Sequence, residues 1–219
     1  GIIEGDLNDA DVDINTDAVY DFDGTADYIS VTSGSAIDSA NYTVSCWFNT
    51  DTIGGSPWDT LITKKDQNNW QLYRVDDDIH LFNSTEDTTL ITGISAEVWN
   101  HIAVTEEGGT IKAYLNGDPI TTGSVTANFN NSGVLLIGSK ESGGDFWDGK
   151  IVDVRMYDAV LEQADIQVLA SKINVDTALG PGTGDLQMHI PIAGPTINLT
   201  DSTGNGTASL VGSPDTVYP

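Results

Sequence analysis

Two carboxylates near the start of the chain have a spacing that could support acid–base chemistry. Asp11 and Asp13 alternate with apolar residues, so in an extended strand both side chains would lie on one face. Paired carboxylic acids can cleave a glycosidic bond, one as proton donor and the other as nucleophile or base. The next residue on that face is Asn15, which can fill neither role. A β-glucanase-type glycosidase is therefore only the third functional hypothesis.

Other catalytic signals are weaker still. His80, His101 and His189 fall in three separate predicted strands, where each can serve as an ordinary hydrogen-bonded strand histidine. The sequence contains no Gly-x-Ser-x-Gly, His-Glu-x-x-His or Cys-x-x-Cys motif and no phosphate-binding glycine loop. Cys46 occupies an apolar position of a predicted strand, which predicts a buried, inert thiol. We therefore expect a protein that is not an enzyme.

Two of the tryptophans are positioned for ligand binding. Trp58 follows Gly54-Gly55-Ser56-Pro57, and Trp147 follows Gly143-Gly144-Asp145, so both are predicted to lie beside loops. An exposed indole can stack on the apolar face of a sugar ring. The remaining tryptophans fall inside predicted strands and are expected core residues: Trp47, Trp70 and Trp99.

The charge of the chain excludes several kinds of partner. It has 33 acidic and 8 basic residues, a net charge of −25. A field of this sign repels phosphate backbones, so nucleic acid is not an expected partner. No apolar run approaches the roughly 20 residues of a spanning helix, so membrane insertion is not expected.

The pattern of apolar residues predicts a protein built almost entirely of β-strands. Strand-like segments recur about every 8 to 12 residues between turn signals. Asn116-Gly117 predicts a hairpin with a type I′ turn, because both residues tolerate positive φ. Asp76-Asp77-Asp78 is interpreted as another hairpin turn, not as a metal cluster. One helix is predicted, from about residue 162 to 172, where apolar residues have helical spacing.

All 219 residues are predicted to form one domain. Its motif-bearing core covers residues 18–172, a connector follows at 173–184, and terminal strands lie within 185–212. These strands could complete their own sandwich or be donated to a neighbouring subunit, which would create a homo-oligomer. The sequence leaves both possibilities open.

Six segments, taken in order, resemble the laminin G-like and pentraxin-like branch of the concanavalin A-type superfamily. They are Val19–Ile29, Tyr42–Phe48, Trp99–Thr105, Ile111–Gly117, Leu136–Gly138 and Phe146–Tyr157. In this branch, comparable strands read FDG…DY, fTvs.W, WhHvavt and lyvNG. The resemblance implies an all-β fold: an antiparallel two-sheet jelly-roll sandwich with one short C-terminal helix.

The same resemblance implies a place for structural calcium. The fold often uses an Asp of the closing strand together with backbone carbonyls, and Asp153 matches that position. Asp23, beside Gly24, and Asp201, in a Gly/Asn loop, are the expected companions, because hard cations prefer oxygen ligands. Alternatively, these carboxylates accept backbone N–H bonds and only hold their turns.

Two main functional hypotheses follow. The first is a non-catalytic structural or adhesion protein, such as a phage virion decoration, a fibre component or a surface-layer subunit, with other protein subunits as partners. Its support is the acidic charge, the absence of catalytic motifs and the terminal strands, which could be donated to a neighbouring subunit. The alternative is a calcium-dependent, lectin-like carbohydrate-binding module of a secreted protein, which binds glycans through Trp58 and Trp147. Either hypothesis places the chain in an extracellular location or on a virion surface.

Overall fold

The computed structural model describes residues 18–33, 41–54, 58–65, 70–83, 86–123, 134–140, 144–173, 185–194 and 197–218. This part of the chain contains strands and one short helix. In chain order they are β1 (Ala18–Asp23), β2 (Tyr28–Ser33), β3 (Tyr42–Thr50), β4 (Asp59–Lys65), β5 (Trp70–Val75), β6 (Asp78–Asn83), β7 (Glu86–Ile91), β8 (Asn100–Glu107), β9 (Thr110–Leu115), β10 (Asp118–Gly123), β11 (Val134–Ile137), β12 (Asp148–Tyr157), α1 (Gln163–Leu169), β13 (Leu186–Ile190), β14 (Ala193–Gly194), β15 (Gly206–Val211) and β16 (Asp215–Val217).

The strands form two antiparallel sheets that pack face to face. The first sheet has the order β10-β9-β8-β3-β12-β1-β14, with β13 also paired to β12 and β16 to β1. The second sheet has the order β15-β2-β11-β4-β5-β6-β7. This architecture confirms the predicted all-β, two-sheet jelly-roll sandwich with one short helix.

Alternation along the strands builds the core between the sheets. Val44, Cys46 and Phe48 of β3 join one apolar cluster with residues of the second sheet such as Leu72 and Ile79. Removing this surface from water is the main favourable term in folding. Burial raises the pKa of the Cys46 thiol well above its ordinary value, as expected for the inert buried thiol that the sequence predicted.

Both predicted hairpin turns form. In the turn between β9 and β10, φ is 52° at Asn116 and 86° at Gly117, the positive values that a type I′ turn requires. In the turn between β5 and β6, Asp76 has a φ of 53°. These two hairpins fix the registers of their strands.

Three strands were not predicted from the sequence: β16, which lies beyond the predicted terminal segment 185–212, and the two edge strands β7 and β10. Both lie at the ends of the sheet orders, so each pairs along one side only. Their sequences, EDTTLI and DPITTG, are mostly polar and lack clear alternation. Edge strands of this kind carry a weak sequence signal because only one neighbouring strand constrains them.

The helix α1 covers the outer face of the first sheet. Its residues Ile166 and Leu169 are buried against Tyr114 and Tyr157 of the sheet. The indole N–H of Trp47 also donates to the carbonyl of Leu169 at 3.3 Å. Within the described residues, no helix is long and apolar enough to cross a bilayer.

The C-terminal strands pair within the same chain. β13 lies against β12, β15 against β2, and β16 against β1. The segment that could have been donated to a neighbour therefore lies in the chain's own sheets. A homo-oligomer stays a prediction.

Candidate functional site

An aromatic stack, formed by Trp58, Tyr73 and His80, lies on the outer face of the second sheet. Tyr73 of β5 and His80 of β6 are cross-strand partners, with ring centroids 5.3 Å apart. Trp58, which directly precedes β4, stacks on Tyr73 with centroids 5.6 Å apart and ring planes at 23°. Trp70 and Leu72 point into the core, so alternation along β5 turns Tyr73 outward.

This aromatic stack presents one indole to solvent. Tyr73 is 1% exposed, whereas Trp58 is 43% exposed. Because Tyr73 supports the indole, Trp58 has little conformational freedom left to lose when a ligand binds. The stack is thus a preorganised apolar surface.

A lysine and an aspartate flank the exposed indole. Lys140 Nζ lies 5.4 Å from the centroid of the Trp58 ring, within the range of a cation–π contact. The same ammonium forms an ion pair with Asp145 at 3.3 Å. The carbonyl of Asp145 accepts the Thr60 N–H at 3.0 Å, which ties this loop to β4. A positively charged donor, Lys140, and a negatively charged acceptor, Asp145, therefore lie beside the Trp58 ring.

A second carboxylate lies at the other end of the aromatic stack. Asp87 Oδ1 is 3.2 Å from His80 Nδ1, and its side chain is 49% exposed. Burial, together with the hydrogen bond and charge of Asp87, raises the pKa of Tyr73 well above its ordinary value. The phenol of Tyr73 therefore stays protonated at neutral pH.

The other predicted ligand-binding tryptophan belongs to the core. Trp147 is completely buried; its ring meets Phe48 edge-on at 5.8 Å, and the Arg74 guanidinium lies 5.9 Å from its centroid. Trp147 is therefore not the exposed ring that the ligand-binding hypothesis requires. The chain rejoins the sheet at Trp147, where the backbone N–H of this residue donates to the carbonyl of Gly138 at 3.0 Å. The indole points inward.

Asp153 lies at a bulge of β12 on the covered outer face of the first sheet. The register with β3 shifts between Val152 and Arg155, and Asp153 has a φ of 53°. Its Oδ1 accepts hydrogen bonds from Arg155 Nε at 2.7 Å and from His189 Nε2 at 2.8 Å. The carboxylate thus compensates a buried guanidinium and holds β13 against β12.

A chain of hydrogen bonds links Asp153 through His189 to Ser202, whose Oγ is 3.1 Å from His189 Nδ1. This order of groups is that of a hydrolase relay. However, the backbone N–H of Ser202 donates to the carbonyl of His189 on β13, and those of Thr203 and Gly204 donate to Asp201. None of these three is left to stabilise an oxyanion, so the relay supports loop attachment better than nucleophilic catalysis.

The two other predicted calcium ligands hold turns. Asp23 Oδ1 accepts the N–H groups of Thr25 at 2.8 Å and Ala26 at 3.0 Å. Although burial acts in the opposite direction, these hydrogen bonds lower the pKa of Asp23 below its ordinary value. Asp201 accepts the N–H groups of His189 at 3.0 Å and Gly206 at 2.7 Å.

The structure does not gather the three predicted calcium ligands into one site. Asp153 and Asp201 both contact His189, while Asp23 belongs to the turn after β1. Among the described residues, no group of three or more His, Cys, Asp or Glu side chains is arranged to hold a metal ion. Calcium binding by these residues stays a prediction. The paired carboxylates Asp11 and Asp13 lie outside the described residues.

Carboxylates also surround a cavity of about 350 Å³ beside the ends of β1 and β12. Lys150 lies among them, with Nζ 3.1 Å from Asp21 Oδ1 and 2.5 Å from Asp51 Oδ1. Burial raises the pKa of Asp21, against the effect of Lys150. The remaining acidic lining residues are Asp23, Asp27, Asp148 and Asp215.

The laminin G family model of the concanavalin A-like lectin/glucanases superfamily matches residues 23–167. The chain belongs to this superfamily, as the motifs of the sequence suggested. A segment of 77 residues, 33% of the chain, is also 32% identical to the adhesion G-protein coupled receptor V1 of Danio rerio. That segment corresponds to about 1% of the receptor's length.

Solved structures share the fold at low sequence identity. A Bacteroides ovatus protein inferred to bind carbohydrate has a TM-score of 0.69 and 17% identity over 90% of this chain and 60% of its own length. A heptameric SAP-like pentraxin of Limulus polyphemus has a TM-score of 0.57 and 18% identity, over 91% and 96% of the two chains. The CBM40 of a Ruminococcus gnavus sialidase, bound to α2,3-sialyllactose, has a TM-score of 0.53 and 13% identity, over 68% and 96%.

Proposed function

We propose that this chain is a non-catalytic glycan-binding module that works in an extracellular setting. The observation that carries the proposal is Trp58, an indole 43% exposed that stacks on the buried ring of Tyr73. A large apolar ring held rigidly at the surface matches the apolar face of a sugar, and binding removes both from water. The carbohydrate-associated structures with this fold support the proposal.

The polar groups around Trp58 suit sugar hydroxyls. Asp87 and Asp145 can accept hydrogen bonds from hydroxyl groups, and the ammonium of Lys140 can donate to them. The two carboxylates are partly exposed, at 49% for Asp87 and 31% for Asp145, so a ligand can reach them. We place the ligand over Trp58, with hydroxyls directed to these side chains.

The similarities favour this function over a structural one. The alternatives considered from the sequence were a virion decoration, a fibre component and a surface-layer subunit. The similar structures reported above include two associated with carbohydrate, and the described residues offer an exposed aromatic surface. The relay of Asp153, His189 and Ser202 lacks free backbone N–H donors at residues 202–204, which favours a module without hydrolytic activity.

A glycan array followed by titration of the strongest hit tests the proposal. We expect saturable binding by the native chain and a loss of about tenfold or more in affinity for Trp58→Ala, because stacking of one sugar on an indole contributes on the order of 1 kcal/mol or more. Tyr218→Ala is the matched control, since it removes a 71% exposed aromatic ring elsewhere. An array without hits, or equal affinity for Trp58→Ala and the native chain, would contradict the proposal.

The same array, repeated with EDTA, tests the calcium prediction separately. Binding that is lost in EDTA and restored by calcium would support a calcium-dependent module. Binding that persists in EDTA would leave glycan recognition to the aromatic stack alone. Asp23→Asn and Asp201→Asn would then show whether any calcium effect on stability involves these carboxylates.

A further inference from the structure

We infer that the ligand of the aromatic stack is a neutral glycan, and that the ion pair between Lys140 and Asp145 excludes anionic sugars. This inference rests on the proposed function and narrows its ligand class. It makes Asp145 a specificity-determining residue. Positive charge is scarce on this molecule, which has 8 basic and 33 acidic residues.

The cations of the cores and sheet ends are buried or already paired: Lys64 of β4 is completely buried, and three others form ion pairs. Arg74 forms a buried ion pair with Asp59, both 1% exposed. Arg155 is equally buried beside Asp153. The ammonium of Lys150 contacts two carboxylates. Recognition of a carboxylate or sulfate generally uses an accessible guanidinium or ammonium, and none of these three can supply one.

Two further lysines are exposed, but on the other sheet's side of the molecule. Lys112 lies on β9, and Lys172 follows α1; both of these elements belong to the first sheet or its cover. The aromatic stack lies on the outer face of the second sheet. Neither lysine can therefore contact a ligand seated on Trp58.

Lys140 is the described cation in contact with Trp58, and its charge is balanced locally. Asp145 holds its ammonium at 3.3 Å, and both side chains are about one-third exposed, at 34% and 31%. At the far end of the stack, Asp87 adds an exposed carboxylate. An anionic sugar would approach two like charges within a protein of net charge −25, and such juxtaposition is repulsive.

A neutral sugar meets no such penalty. Its hydroxyls can donate hydrogen bonds to the carboxylates and accept them from the ammonium. The ligand adds no net charge to the site. Its affinity should also be nearly independent of ionic strength, because no charged groups come together on binding. This behaviour would distinguish the chain from the similar CBM40 structure that holds sialyllactose.

The loop geometry allows Asp145 to be changed without disturbing the backbone. Its φ is 49°, a left-handed conformation that Asn adopts as readily as Asp. The bond from the Thr60 N–H to its carbonyl does not depend on the side chain. Asp145→Asn therefore removes the charge that neutralises Lys140 and keeps the loop in place.

The test compares matched neutral and anionic probes on one array and then by titration: lactose with α2,3-sialyllactose, and oligogalactose with oligogalacturonate. We expect the native chain to bind neutral members of the array with affinity that changes less than about twofold between low and physiological salt. We expect Asp145→Asn to raise affinity for anionic probes by about fivefold or more at low salt. Asp118→Asn, an equal charge change on β10 of the other sheet, is the control.

The outcomes separate the two proposals. A native chain that binds the anionic probes more tightly than the neutral ones would overturn the neutral-ligand inference and keep the glycan-binding function. Equal effects of Asp145→Asn and Asp118→Asn would overturn the role of the ion pair. A blank array would overturn the function and this inference together, and circular dichroism of each variant checks that the fold is intact.

Discussion

The two outer faces of this sandwich use similar side chains for different purposes. On the first sheet, α1 packs on Tyr114 and Tyr157. Asp153 accepts hydrogen bonds from Arg155 and His189, and all three side chains are buried. On the second sheet, Trp58 stays open above Tyr73. Polar and aromatic residues project outward from both sheets, so residue type alone does not separate them.

This difference shows that the role of an outward-facing side chain in this fold depends on whether other parts of the chain cover it. A covered outer face has no water to satisfy its polar groups, so each must find a partner within the chain. The outer face of the second sheet is open locally: the outward side chains of Gln71 and Tyr73 are buried, whereas Trp58 is 43% exposed, and there a ligand can take the place of water. The covered face should therefore respond to mutation with lost stability, and the open face with lost binding.

The largest expected effect separates the two tryptophans that the sequence treated alike. Trp147→Ala should lower the free energy of unfolding by about 3–5 kcal/mol, because it leaves a cavity in the core. Trp58→Ala should lower it by less than about 1 kcal/mol. Urea unfolding followed by circular dichroism measures both. Similar losses for the two variants would break the comparison.

A somewhat smaller effect is expected when one charge is removed from each outer face. Asp153→Asn should cost about 3 kcal/mol, because Arg155 is then buried beside a neutral side chain; Asn tolerates the φ of 53° at this position. Asp87→Asn, on the open face, should change stability by less than about 0.5 kcal/mol. Thermal and urea unfolding at one pH give both values, and a stable Asp153→Asn variant would show that the buried pair is dispensable.

The smallest effect concerns a carboxylate that faces neither surface. Glu106, on the inner side of β8, is 5% exposed, and burial raises its pKa to about 7, although its hydrogen bond with Tyr42 acts in the opposite direction. The folded state therefore holds a proton that the unfolded state releases at lower pH. The contribution of Glu106 to the free energy of unfolding should be greatest below its ordinary pKa of 4.5. It should fall by about 2–3 kcal/mol as the pH rises to about 7.

Two matched variants isolate this carboxylate. Glu106→Gln should flatten the decrease in stability between about pH 4.5 and pH 7, the ordinary and the raised pKa of this carboxyl, because the side chain no longer ionises. Glu107→Gln, at the neighbouring exposed position, should leave the decrease unchanged. An equally steep profile in Glu106→Gln would assign the pH dependence to other groups.

The sequence contained part of the candidate site. The hairpin between β5 and β6 was predicted, but with a three-residue turn at Asp76-Asp77-Asp78, which would place Tyr73 opposite Leu81. The observed two-residue turn at Asp76-Asp77 shifts the register by one residue and pairs Tyr73 with His80. Trp58 was selected correctly as an exposed residue because Gly54–Pro57 precede it.

The remaining features depended on contacts that no local pattern encodes. Trp58 reaches Tyr73 only through the pairing of β4 with β5, whose register shifts between Thr60 and Ile62. Trp147 has a glycine-rich flank like that of Trp58, yet tertiary packing draws it against Phe48. Local sequence predicts a loop nearby, but only the assembled sheets determine on which side a side chain is buried.

The pairing of β16 with β1 has a mechanical consequence. Val19 lies opposite Val217, and Asp21 opposite Asp215, so the first and last described strands run side by side in opposite directions. A force that pulls Ala18 away from Tyr218 would break the hydrogen bonds between these two strands one pair after another. It would not shear all pairs at the same time. A module tethered through these two points would therefore yield at low tension by releasing its last strand, while the aromatic stack on the opposite sheet keeps its shape.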